Sequence, residues 1–430
     1  MSVKPIRIAL LGAGVVGGEV ARLITENAED FEARIGAPLE LVGIAVQDVK
    51  KVRKGVDQGL LTTDATSLLS KDIDIVIEVM GGIEPAKSLI LEAMKNGSSV
   101  VSANKALLSQ AGEALFKAAH DNKVDLYYEA AVAGAIPLLR PLRESLVGDR
   151  VRKVIGIVNG TTNYILTKMD EEGIDYQQAL KEAQDLGYAE ADPASDVEGL
   201  DAAAKAAILA SLAFHTHVTL DDVFVEGISS VTLDDIRAAA DMGFVVKLLA
   251  VAELSDDEKG VIVRVHPAMV PRTHPLASVR LSFNAVFIEA DAAEQMMFYG
   301  RGAGGLPTAS AVLGDVVAVA RNRVAGHHAG ESKYAELKVL PISEAKTRYS
   351  INLKVKDEPG VLATVAQVFA KHDVSIQVVR QDGEGNDAYL LIRTHIAQDK
   401  DLSATIAELK TLSSVSNIVG VMRVEGESGN

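Results

Sequence analysis

Residues 6–17 read IRIALLGAGVVG, and this stretch decides the fold. Ile6 to Leu11 form a continuous, mostly apolar strand pattern. It runs directly into Gly12-Ala13-Gly14-Val15-Val16-Gly17, and a helical pattern continues to about Asn27. Glycines at this spacing are a weak signal alone, but between a strand and a helix they form a dinucleotide-binding fingerprint. Gly12 permits the tight turn, Gly14 lets the backbone approach a pyrophosphate, and Gly17 lets helix and strand pack closely. The N–H groups at the helix start then face the phosphates.

Working outward, the alternation continues. A strand over 39–46 is followed by one over 73–79, then Gly81-Gly82 and a helix from Pro85. A strand over 99–102 leads into Asn104-Lys105 and a helix over 106–120, and a strand over 124–128 follows. Short apolar strands separated by amphipathic helices predict an α/β fold, a doubly wound (Rossmann-like) parallel sheet whose ligands lie beyond the strands' C-terminal ends. Three segments sit there: the glycine loop, Met80-Gly81-Gly82 and Ala103-Asn104-Lys105. The strand over 39–46 ends in Gln47-Asp48, then Lys50, Lys51, Arg53 and Lys54. An acid there suits the ribose hydroxyls of NAD, and bases suit the 2′-phosphate of NADP, so both cofactors stay open. The basic run also reads as a solvated loop. Lys105 opens its helix at the end where a cation is disfavoured. That mismatch points to a role at a substrate beside the nicotinamide.

At 430 residues the chain predicts two or three domains. A net charge of −16 argues against nucleic acid or anionic membrane as a partner. The absence of cysteine excludes disulfides, thiolate metal sites and a cysteine nucleophile, and fits a cytoplasmic location. The apolar run at the N-terminus is too short to cross a membrane and ends in the glycine loop, and no transmembrane segment is read elsewhere. The tail GESGN reads as frayed. The middle section has helices over 136–147, 161–171, 176–186, 197–214 and 232–241, and strands over 151–158, 245–253, 261–268, 283–290 and 295–299. It predicts an α+β domain suited to a substrate site and subunit pairing. His215, His217, His266 and His274 lack ligand spacing and read as structural.

The chemistry concentrates in Ala183–Lys205, AQDLGYAEADPASDVEGLDAAAK. A helix ends at Gly187, and a loop carries Glu190, Asp192, Pro193, Asp196 and Glu198. The helix that follows is apolar on every face after Asp201 apart from Lys205, and a helix apolar all round is buried. Asp201 and Lys205 are four apart and share a face. An exposed pair of this kind contributes only about 0.2–0.5 kcal/mol. The apolar surroundings favour the alternative, a lysine and carboxylates facing a cleft, where a lysine can serve as a proton donor.

Ala183, Gly187, Tyr188, Asp192, Pro193, Asp196, Val197, Gly199, Asp201 and Lys205 together resemble the homoserine dehydrogenase pattern. The resemblance covers nearly the whole chain. It implies reversible reduction of L-aspartate 4-semialdehyde to L-homoserine by NADPH or NADH, in the threonine–methionine–isoleucine route. It also implies roles: Lys205 and Lys105 as the active-site lysines, Glu190 and Asp201 on the substrate, and Gly187, Gly302 and Lys105 at the cofactor. The segment Glu129–Pro137 is implied to hold a sodium ion through Glu129, Val132, Gly134 and Ile136, mainly by backbone oxygens, the donors that hard cations prefer. A second glycine-rich loop, Gly300–Gly305, precedes a helix over 306–321 that the resemblance returns to the first sheet.

Residues 322–347 read as a linker. From 349 the order is βαββαβ, with Asp357-Glu358-Pro359-Gly360-Val361-Leu362 at the first helix, and this resembles an ACT domain. The expected organisation is a dinucleotide-binding domain over 1–134 completed by helix 306–321, a substrate and dimerisation domain over 135–305, and an ACT regulatory domain over 348–430. Threonine is the effector by analogy, and a homo-oligomer, dimer or tetramer, is expected. The competing reading is a non-catalytic sensor that binds NAD(P) and an amino acid.

Overall fold

The computed structural model describes residues 4–329, 335, 337–384 and 387–427. The last three residues of the GESGN tail and part of the 322–347 linker lie outside them. Along the chain come β1 (Ile6–Leu11), α1 (Val15–Glu26), α2 (Ala28–Ile35), β2 (Leu39–Ala45), β3 (Leu61–Thr62), α3 (Ala65–Leu69) and β4 (Ile75–Glu78). Then follow α4 (Ala86–Lys95), β5 (Ser99–Ser102), α5 (Lys105–Asn122) and β6 (Leu126–Tyr127). These six strands form a parallel sheet in the order β3-β2-β1-β4-β5-β6. Its direction of winding reverses between β1 and β4, so the ligand crevice of a doubly wound sheet opens beyond Leu11 and Glu78.

The chain continues through β7 (Val151–Ile157), α6 (Gly160–Glu172), α7 (Tyr176–Asp185), α8 (Ala194–Val197), α9 (Leu200–Ala213), β8 (Phe224–Val225) and α10 (Leu233–Asp241). Next are β9 (Phe244–Leu254), β10 (Gly260–Pro271), β11 (Phe283–Ala290), β12 (Glu294–Arg301), α11 (Gly305–Ala325) and β13 (Lys338–Val339). The C-terminal module is β14 (Lys346–Lys356), α12 (Val361–Lys371), β15 (Ile376–Glu384), β16 (Asp387–Thr394), β17 (Ala397–Gln398), α13 (Asp399–Leu409) and β18 (Val415–Val424).

Two compact units emerge. The first gathers Met1–Val154, Ala207–Leu220 and Phe283–Glu336. There α11 packs on the parallel sheet, and Ala309, Val312, Val316 and Val319 join Ile8, Leu10, Val20 and Ile75 in one apolar core. The helix expected over 306–321 is therefore longer, and it does return to the sheet. The second unit gathers Ile155–Ala206, Asp221–Ser282 and Leu337–Asn430. It holds a mixed sheet running β9-β10-β18-β14-β16-β15. The ACT module has its own core around Ile351, Leu353, Val365, Phe369, Leu390 and Ile392.

Two sequence expectations are corrected. The helix read over 197–214 begins only at Leu200, because Gly199 adopts a left-handed φ of +82° after the short α8, which lies in the stretch read as a loop. The helix read over 136–147 is shorter and wider, a π-helical segment over Pro141–Ser145. Two prolines, Pro137 and Pro141, withhold the N–H groups a longer α-helix would need.

His266 is fully buried on β10, its Nδ1 3.0 Å from the Pro267 carbonyl oxygen. Burial, with Arg423 and Arg264 nearby, lowers it to about 3, so it packs as a neutral ring. Lys247 on β9 is buried too, donating to Val279 O at 2.6 Å and to Asn163 Oδ1 at 3.0 Å. Burial lowers it from 10.5 to about 8. The unfolded chain therefore holds one proton more between those two values, and stability rises with pH across that window. Relative to Lys247→Met, the wild type should gain stability from pH 8 to pH 10.5, by up to about 3 kcal/mol, in urea unfolding. A difference that stays flat over that range would show that Lys247 carries no such penalty.

Candidate functional site

The glycine loop leaves β1 with Gly12 at φ +98°, its N–H donating to Ala45 O at 2.9 Å. A Cβ at residue 12 would lie 3.0 Å from Val79 O, and one at residue 17 only 2.1 Å from Gly12 O. Both glycines are demanded by packing. Gly14 differs, since a Cβ there meets nothing within 4 Å. Gly14 also caps α1 without any side-chain hydrogen bond, and Val15 beside it is 78% exposed. The first N–H groups of α1 thus open onto space of the kind a pyrophosphate fills. Around the loop, a Cβ on Gly305 would lie 2.7 Å from Val15 Cγ1, so the second glycine-rich loop packs on the first. Arg53 Nε donates to Ala13 O at 2.9 Å, and Nη1 donates to Lys51 O and Asp48 O.

At the far side of the crevice, Asn104 caps α5 by accepting from Leu107 N at 3.1 Å, which makes Lys105 the first helical residue. Lys105 is half-buried. The segment after β6 is buried, and Ala133 and Gly134 both take left-handed conformations. A Cβ on Gly134 would lie 2.5 Å from Gly302 O, so backbone meets backbone there, and one on Gly302 would meet the Asn284 side-chain amide. No N–H among the described residues donates to the carbonyl oxygens of Val132, Gly134 or Ile136. The Glu129 carboxylate is instead saturated by the N–H groups of Leu138, Leu139 and Arg140. Burial pushes the neighbouring Asp315 carboxyl up to about 7, against the Glu129 N–H and Arg140 that it accepts from.

The second unit contains the lysine. Every residue of α9 from Asp201 to Ala210 is buried. Lys205 Nζ donates to Asp201 Oδ2 at 2.7 Å and to Val158 O at 2.6 Å. Asn159 completes the cluster, its Nδ2 reaching Asp201 Oδ2 at 2.8 Å and Asp196 Oδ1 at 2.7 Å. Its Oδ1 caps α6 by accepting from Thr162 N at 2.8 Å. In the sequence Asn159 stands out only as the start of a helix-capping turn, Asn159-Gly160-Thr161-Thr162-Asn163. Its bonds to residues 37 and 42 positions away leave no local signal. Glu190 is exposed on the same loop, its backbone oxygen accepting from Gln184 Nε2 at 3.1 Å. Gly187, at φ +75°, ends the preceding helix. Gly187, Glu190, Asp201 and Lys205 belong to the second unit, whereas the glycine loop, Lys105, the 129–136 segment and Gly302 belong to the first.

A dinucleotide loop on a doubly wound sheet, with a buried lysine braced by a carboxylate, defines a dinucleotide-dependent oxidoreductase. Residues 137–317 match the homoserine dehydrogenase family, residues 12–129 match its NAD binding domain, and residues 349–414 match the ACT domain. The homoserine dehydrogenase of Corynebacterium glutamicum is 54% identical over 425 residues, covering 98% of this chain and 96% of its own. A crystal structure of a homoserine dehydrogenase from Thiobacillus denitrificans superposes with a TM-score of 0.93 at 38% identity, over 99% of both chains. A hyperthermophilic archaeal homoserine dehydrogenase in complex with NADPH gives 0.62 at 26% identity, over 74% of this chain and 98% of that one. The chain belongs to the homoserine dehydrogenase family, NAD(P)-dependent oxidoreductases acting on a CH–OH group. That membership disfavours the sensor reading.

The two kinds of glycine in the loop separate in experiment. Gly14→Ala should leave the thermal midpoint of the ligand-free protein unchanged while weakening NAD(P)H binding at least about tenfold, because only the ligand needs that space. Gly17→Ala should lower the midpoint even without ligand. Equal effects of the two on the ligand-free midpoint would contradict this division.

Proposed function

We propose that Lys205 is the proton donor in the reversible reduction of L-aspartate 4-semialdehyde to L-homoserine. The observation that carries this is the pair of bonds at its Nζ. An ammonium has three N–H donors, and two are held by Asp201 and the Val158 carbonyl. The third is left for a substrate oxygen. When bound, NADPH or NADH supplies the hydride to the aldehyde carbon. Lys205 then gives its proton to the oxygen on which charge develops, and its own charge favours that oxygen as it forms. Asp201 and Asn159 fix the lysine's direction. Lys105 is assigned to the same oxygen, and Glu190 and Asp201 to the substrate ammonium.

The glycine loop residues Gly12 to Gly17 are assigned to the dinucleotide, with Lys105, Gly187 and Gly302 contributing. Arg53 beside the loop supports NADPH as a usable cofactor. A sodium ion is assigned to the buried carbonyls of Val132, Gly134 and Ile136, whose free lone pairs suit a hard cation. Glu129 would act there through its charge, since its carboxylate oxygens are committed to N–H groups.

The ACT module is assigned to amino-acid feedback, with threonine as the effector to test, and to pairing of subunits. Edge strand β15 exposes Val378 and Val379, which supports pairing with a second copy. A physical route for feedback lies within the second unit. A Cβ on Gly420 of β18 would lie 2.2 Å from Asp235 Oδ1, and Asp235 closes the capping box of α10 with Thr232. The loop just before that helix bonds the catalytic stretch, Ile228 N to Val197 O at 2.7 Å and Ser229 Oγ to Glu198 Oε1 at 2.5 Å. No described helix is long and apolar enough to cross a membrane. A cytoplasmic location remains part of the proposal.

NADPH and NADH oxidation should be followed in parallel with L-aspartate 4-semialdehyde, with and without L-threonine. Turnover with either cofactor is expected, and a fall with threonine assigns the tail its role. Lys205→Ala should lower kcat about 10²–10⁴-fold with cofactor affinity unchanged. Near-normal turnover would remove Lys205 from the mechanism. Glu190→Ala should chiefly raise KM for the semialdehyde, and an effect confined to cofactor binding would reassign it.

A further inference from the structure

We infer that Glu78 is a positioning residue that locks Lys105 and the Met80-Gly81-Gly82 loop into one unit at the mouth of the crevice. Glu78 ends β4, pairs with Leu11 at the end of β1, and is fully buried. Among the described residues no cation lies within ion-pairing distance of it. A carboxylate buried without a cation is costly unless its oxygens are fully hydrogen-bonded. Here they are. Oε1 accepts from Met80 N at 2.8 Å and Gly81 N at 3.2 Å, and Oε2 accepts from Ser102 Oγ at 2.7 Å.

These bonds belong to a closed ring. Ser102 Oγ accepts in turn from Asn104 N at 3.1 Å. Asn104 Nδ2 donates to Gly82 O at 2.6 Å, and Asn104 Oδ1 caps α5 at Leu107 N. Gly81 and Gly82 both have left-handed φ values, near +76° and +75°. Two adjacent glycines carry high conformational entropy, so an unanchored loop here would be loose. The ring anchors it on one side by the Glu78 carboxylate and on the other by Asn104. Lys105 is the residue that follows Asn104, so its backbone position is set by the same ring. The strand end also touches the glycine loop, because a Cβ on Gly12 would sit 3.0 Å from Val79 O. A carboxylate serving stability alone has no need to choose as its partners the loop on one side of the crevice and the strand end leading into Asn104-Lys105 on the other. Its acceptors are spent wholly on them.

This inference rests on the assignment of Lys105 to the substrate oxygen, and the test separates the two. In Glu78→Gln the amide oxygen still accepts from the loop N–H groups, but its NH2 meets Ser102 Oγ as a second donor. We expect kcat to fall about 10–100-fold, as a small misplacement of a reacting group does, with unfolding midpoint and NAD(P)H affinity close to wild type. Ser102→Ala, which removes the relay to Asn104, should lower kcat in the same direction and serves if the first variant fails to fold. The deciding measurement is a double-mutant cycle on kcat. Adding Glu78→Gln to Lys105→Ala should cost almost nothing further, because both act through one group. Additive losses would overturn the inference, as would wild-type kcat in folded Glu78→Gln and Ser102→Ala. If Lys105→Ala itself turned over normally, the Lys105 assignment would fall first, and the role of Glu78 with it.

Discussion

The ion pair between Asp201 and Lys205 holds the catalytic half of this molecule together. Both side chains lie in a helix with no solvent-facing side along Asp201–Ala210, where neither charge could survive alone. Removing one partner of such a pair typically costs about 3–5 kcal/mol, because the other is left desolvated. Asn159 donates to the same carboxylate oxygen, and the Val158 carbonyl accepts from the ammonium. Those two partners end a strand and cap a helix. The pair therefore fixes where β7 stops, where α6 starts, and how the Asp196 turn lies against them.

The dinucleotide half solves a different problem. Its glycine loop must be tight against β4 and α1 and yet leave space outward. Gly12 and Gly17 are packed to the limit, while Gly14 borders open space. The neighbouring strand end meets the same demand with a carboxylate rather than with missing side chains, since Glu78 pulls two successive loop N–H groups inward. Close packing and polar anchoring thus act side by side at the ends of adjacent strands.

Much of this was legible in the sequence because it is local. A glycine loop between strand and helix, a helix apolar on all faces, and the βαββαβ tail each announce themselves within 10 to 80 residues. What escaped was long-range or depended on single residues. Asn159 looks like an ordinary cap, and only the folded chain brings Asp196 and Asp201 to it. Glu78 ends an apolar strand, and nothing nearby in sequence says that Ser102 will meet it. The short α8 was hidden in a stretch whose Asp192, Pro193, Asp196 and Gly199 read as a loop. The polar α2 carries too weak an apolar stripe to be recognised, with only Ile35 buried.

The strand β18 follows both β10 and β14 in the chain, yet it lies between them. It is paired along most of its length with the ACT sheet, and at Arg423 and Val424 with the central one. During synthesis both neighbours emerge first and wait with unsatisfied edges. Unpaired edges of this kind are templates for association with other chains. The second unit thus completes its sheet only when residues 415–424 have left the ribosome. A chain that terminates shortly before Val415 would carry Asn159, Asp196, Asp201 and Lys205 and still present two open edges to its neighbours.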